Sequence, residues 1–108
     1  MTPEIRQRVQ LLLKELAGQY PTKEPVRLGR TLPASDDREA TLDWSGGCYT
    51  IRFASDRPWV QVADSLVHEW AHARVGDRFR GTCYRHALHD EHWGLEYARS
   101  YCVVYETT

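Results

Sequence analysis

Three cysteines in 108 residues, Cys48, Cys83 and Cys102, are few and scattered. Their number is odd and no Cys-x-x-Cys spacing occurs, which argues against both a disulfide framework and a zinc ribbon. They read as reduced thiols: Cys48 in a strand and Cys102 in a helix, where small thiols are commonly buried, and Cys83 in a loop as a reserve metal ligand. Net charge is equally scant. The balance of 14 Lys and Arg against 15 Asp and Glu leaves −1, so no overall basic field draws the chain to nucleic acid. No stretch approaches the roughly 18 consecutive apolar residues of a membrane span, and the first residues carry no basic-then-apolar export pattern. A cytoplasmic location without membrane contact is therefore the expectation. Internal repeats, low-complexity tracts and flexible linkers do not occur, and a single domain over residues 1–108 is expected, large enough to bury about two-thirds of its unfolded surface.

Apolar spacing supplies the elements. Ile5, Val9, Leu12, Leu13 and Leu16 fall on one helical face, predicting a helix over residues 3–17 that begins at Thr2-Pro3 and stops near Gly18. A proline-punctuated link leads to a strand at 26–32 and a polar turn at 33–38. Residues 40–44 and 49–53 flank Ser45-Gly46-Gly47 and read as a hairpin, with Tyr49, Ile51 and Phe53 on one apolar face. Trp59, Val62, Ala63, Leu66, Val67, Trp70 and Ala71 recur at steps of three and four, predicting a helix from after Asp56, with Pro58 in its first turn, to about Gly76. After a loop at 77–87, Trp93, Tyr97, Ala98, Tyr101 and Tyr105 predict a third helix over 90–105, its aromatics assigned to the core. The layout is α+β: an N-terminal helix, a three-stranded antiparallel sheet, a second helix, a loop and a C-terminal helix.

The second helix carries the chemistry. Residues 68–72 read His-Glu-Trp-Ala-His. Histidines four apart project from one helical face, close enough to share a metal ion, while Glu69 can reach a water on it. Imidazole suits zinc, whose catalytic sites take three protein ligands and keep a fourth position for water. The bland alternative is a pair of half-buried histidines bonded to neighbours, with Glu69 on a solvated face. Against it stands the supply of further ligands, since the other three histidines, His86, His89 and His92, follow within the next turns of chain together with Asp90 and Glu91. Arg74, Arg78, Arg80 and Arg85 cluster nearby and read as a solvated surface balanced by Asp77 and Asp90; contact with an acidic substrate or nucleic acid is the other possibility. Arg78, Arg80, Tyr84, Arg85 and Tyr97 are candidates to hold a developing oxyanion. Gly76 and Gly81 suggest a mobile cover over the cleft.

Leu66-Val67-His68-Glu69-Trp70-Ala71-His72-Ala73, followed by His89-Asp90-Glu91-His92-Trp93, resembles the SprT-like metallopeptidases, the group that includes Spartan-type crosslink proteases. The resemblance implies a minimal zincin-like domain with zinc on His68, His72 and His89, Glu69 as general base and Trp93 as a packed aromatic. Gly94 and the Tyr97-Ala98-Arg99-Ser100-Tyr101 run are similar as well. Asp90 stands where the family has glycine, so His92 and Asp90 stay open beside His89 as third ligand. The DNA-binding segments and zinc ribbon of such proteins have no counterpart here, and crosslink repair is not implied. The expected function is zinc-dependent hydrolysis of a protein or peptide substrate. A non-catalytic metal-stabilised binding domain and a hydrolase of a non-peptide bond are the alternatives. Nucleic acid is not supported as a partner by net charge, and nothing in the sequence specifies an oligomeric state.

Overall fold

The structure is a computed structural model and describes residues 1–79 and 89–106, with Arg78 and Phe79 described by their backbone alone. The elements run α1 (Pro3–Gln19), β1 (Val26–Leu28), β2 (Ala40–Ser45), β3 (Cys48–Phe53), α2 (Trp59–Phe79) and α3 (Glu91–Glu106). Thr2 caps α1, its Oγ1 accepting the Ile5 N–H at 3.2 Å, and Pro3 occupies the first turn, where a missing donor costs nothing. Two glycines expected to stop helices do not. Gly18 lies inside α1, which instead leaves at Tyr20 because Pro21 disfavours helical backbone in the residue before it. Gly76 lies inside α2, which continues to Phe79; Asp77, one residue on, is buried and accepts from the Lys23 N–H and the Tyr49 hydroxyl, both at 2.7 Å.

The sheet has the order β1-β3-β2 and is mixed, which corrects the antiparallel expectation. β2 and β3 form the expected hairpin, Ala40 opposite Phe53 and Ser45 opposite Cys48. Its two-residue turn places Gly46 and Gly47 at φ +60 and +76, the left-handed values that a primed turn requires. β1, however, runs parallel to β3, with Val26 beside Tyr49 and Leu28 beside Ile51. The reason is the path of residues 29–39. Leu32 donates to Phe53 on one side of β3 and Glu39 accepts from Ala54 on the other, so this segment passes around the end of β3 and reverses only there. Arg52 pins it through Nε to the Arg30 carbonyl at 3.0 Å and a second N–H to the Thr31 carbonyl. Gly29 makes the close approach possible, because a Cβ there would stand 2.6 Å from Thr50 Cγ2.

One core forms where the helices cover the sheet. Val9, Leu12, Leu13 and Leu16 of α1 meet Ile51 and Phe53 of β3, Val62, Leu66, Val67 and Trp70 of α2, and Val103 and Val104 of α3. The Trp70 indole N–H reaches the Tyr20 carbonyl at 3.1 Å, so the largest core ring has its polar atom satisfied. Cys48 is buried as expected, whereas Cys102 is exposed; Cys83 lies outside the described residues. The α3 aromatics meet their assignment in part: Tyr97 and Tyr105 are half-buried and pack against the core, whereas Tyr101 is exposed. Glu96, Ser100, Val103 and Val104 supply the buried face. Trp93, Tyr97, Tyr101 and Tyr105, four residues apart, stack as a row along the edge of this face, with ring centroids 4.9, 6.2 and 4.4 Å apart. No helix among the described residues is long and apolar enough to cross a membrane.

Candidate metal centre

His68 and His72 lie one turn apart on α2 and are half-buried, with Nε2 atoms 3.1 Å apart. His89, just before α3, brings its Nε2 to the same 3.1 Å from that of His68. The ligand atoms of all three fall within 4.8 Å of one another, and His92 and Asp90 stand outside this cluster. A neutral imidazole nitrogen is either a donor or an acceptor, so three of them turned inward cannot all satisfy one another. One cation at about 2.0–2.1 Å from each would separate tetrahedral ligand nitrogens by about 3.3 Å, close to the 3.1 Å that His68 keeps from each of the other two, while His72 and His89 lie within 4.8 Å of each other. The donor set therefore fits a zinc-type ion.

Asp90 serves a different purpose from ligation. It caps α3, its Oδ1 accepting the Trp93 N–H at 3.1 Å and its carbonyl the Gly94 N–H at 2.9 Å. The chain turns at His89 itself, whose φ of +64 is left-handed. Trp93, in the first turn of α3, closes the back of the cluster, with its ring centroid 4.5 to 5.8 Å from those of the three imidazoles. Its indole N–H lies 3.4 Å from the His68 carbonyl.

Glu69 sits beside His68, facing a cleft of about 360 Å³ lined also by Arg38, Glu39, Ala40, Asp64 and Ser65. Burial, with the charge of Asp43 adding to it, pushes the Glu69 carboxyl up to about 7. Burial also holds His68 below its ordinary value, as does the charge of His89, while Asp64 opposes both. Arg38, the arginine lining this cleft, is neutralised locally, and the cleft's Glu39 is paired as well. Arg38 grips Asp36 through contacts of 2.7 and 3.0 Å and keeps that carboxyl down at about 2, and Arg57 pairs with Glu39 at 3.1 Å.

Of the oxyanion candidates, only the Tyr97 side chain is described, and its hydroxyl donates to Asp64 Oδ1 at 3.1 Å. The side chain of Arg78, and Arg80, Gly81, Tyr84, Arg85 and His86 entirely, lie outside the described residues. Arg74 is not part of a solvated basic surface. It pairs with the buried Glu96 at 2.8 Å and donates to the Pro21 carbonyl, while Arg99 takes the other Glu96 oxygen at 2.7 Å. This clamp ties α3 to α2, with Arg74 two residues after His72. Sequence spacing did not single out Glu96, because a charged residue three positions after Trp93 looks like surface; Arg99 at i+3 was the one available signal. Set against protein-family models, curated proteins and solved structures, the chain finds no significant match.

Proposed function

We propose that this chain is a zinc-dependent peptidase of the SprT-like, zincin type. The observation that carries the reading is the convergence of three imidazole nitrogens within 4.8 Å beside a half-buried carboxyl that faces a cleft. His68, His72 and His89 would hold the ion. Bound there, zinc supplies a water acidified towards neutrality and a Lewis acid for the scissile carbonyl.

The chain's own residues supply the rest. Glu69, its carboxyl raised by burial, accepts the proton of the attacking water and returns it to the departing amine, so one group serves as base and then as acid. Trp93 packs on all three imidazoles and restrains their rings. β2 supports a peptide as substrate. It is an edge strand, no strand among the described residues covers its outer side, and Ala40 lines the same cleft as Glu69. An extended peptide paired along that edge runs past His68 and Glu69.

The test is zinc content and proteolysis of the purified chain and its Glu69→Gln variant. The variant should keep stoichiometric zinc and lose ~10²–10⁴-fold in peptide cleavage. Cleavage that survives the substitution removes Glu69 from the mechanism. Stoichiometric zinc with no hydrolysis in either protein moves the reading to a metal-stabilised binding domain.

A further inference from the structure

A second cavity lies away from the histidines, on the other rim of the sheet. It is a groove of about 760 Å³ between the outer face of α1 and the free edge of β1. The strand order puts β1 and β2 on opposite edges, so this groove and the cleft beside Glu69 are separated by the width of the sheet. The buried Leu13 and Trp70 form its floor, and Pro21 and Pro25 line it as well.

Backbone geometry gives the groove its chemistry. In the parallel pairing with β3, the Pro25 carbonyl accepts from Tyr49 and the Gly29 N–H donates to Ile51. Alternation then turns the N–H and C=O of Arg27 towards β3 and those of Val26 and Leu28 outwards, into the groove. Two residues thus present a donor, acceptor, donor, acceptor series at strand spacing. Opposite them stands α1 with Leu11, which is 56% exposed. A strand edge facing a helix across an apolar floor is a slot for one further strand.

The charges select the occupant. Lys14 and Arg27 line the groove, no Asp or Glu does, and among the described residues neither cation pairs with a carboxylate. Arg27 gives its Nε–H to Cys48 Sγ, a contact that leaves its charge in place. We propose that this groove binds an extended acidic peptide segment of a partner protein, added as a fourth strand on β1. Apolar side chains on the face of that segment towards α1 pack on Leu11, Leu13 and Leu28, with Lys14 beside them for a carboxylate at the rim, and carboxylates on the opposite face meet Arg27, which shares the Thr50 face of the sheet. The proposal does not depend on the peptidase reading.

The full chain is titrated with a fluorescein-labelled heptapeptide of alternating glutamate and valine, its lysine–valine counterpart, and the acidic peptide with alternate amides N-methylated. Backbone amide exchange is followed by NMR. Saturable binding of the acidic peptide alone is expected, with slowed exchange at Val26 and Leu28 and none at Arg27, whose amide already faces β3. The Lys14→Glu, Arg27→Glu double variant should weaken that binding about tenfold or more. Absence of saturable binding up to ~1 mM, equal binding of the acidic and basic peptides, or binding that leaves the Val26 and Leu28 amides unchanged overturns the proposal. The exchange measurement uses the unaltered protein, so a poorly folding double variant does not rescue it.

Discussion

His89 occupies a left-handed backbone, φ +64, which costs a residue with a side chain about 1–2 kcal/mol. Capping by Asp90 and packing of Trp93 against the imidazole ring hold it there. His89→Ala should therefore lower zinc affinity by more than ~100-fold, beyond the range for losing a merely supporting residue, while His92→Ala leaves it within a fewfold. Competition with a chromophoric chelator measures both, and equal losses would remove His89 from the proposed ligand set. The sequence made the α2 pair legible, because i and i+4 on an apolar-striped helix can face only one way. It left His89, His92 and Asp90 open, because that choice turns on where α3 starts. Asp90 decides the start by capping, and a cap and a ligand look alike in a string of letters.

Among elements, the packing of α3 on α2 depends on a buried carboxylate held by two guanidinium groups, since Glu96 is 6% exposed and bonded to both Arg74 and Arg99. Removing the carboxylate takes the shared partner from Arg74 and Arg99, whose side chains are partly open to water. Glu96→Ala should cost about 1–3 kcal/mol, a sizeable share of the stability of a domain this size, read as a lower midpoint in urea. A change under ~1 kcal/mol would mean that the clamp is no stronger than a surface ion pair. All three helices were legible in their apolar spacing. Their ends were less so, because Gly18 and Gly76 are tolerated inside helices: α1 leaves at the residue before Pro21, and α2 runs past Gly76 to an Asp77 held by contacts across the fold. The α3 aromatics were legible only in part for a related reason: Tyr97 and Tyr105 pack on the core, yet the row of rings runs along its edge to the exposed Tyr101 while Ser100 and Glu96 face inward.

At the level of the whole molecule, an ion shared by α2 and the residue leading into α3 would couple binding to folding. Zinc at about a thousand times its dissociation constant should add about 4 kcal/mol to unfolding free energy, raising the melting temperature, and a chelator should reverse the gain. Thermal melts with and without zinc measure it, and a melting temperature indifferent to the metal would contradict the shared-ion reading. The hairpin of the sheet was legible because its turn is local and glycine-marked. The parallel place of β1 was not, since Val26 finds Tyr49 only after the chain has gone around the end of β3.

That detour also fixes an order of assembly. The hairpin closes across Gly46 and Gly47 at small entropic expense, whereas β1 must wait for a loop of some twenty residues to come together. The first strand in the chain is thus expected to zip up late and, by the same token, to detach early when the protein opens.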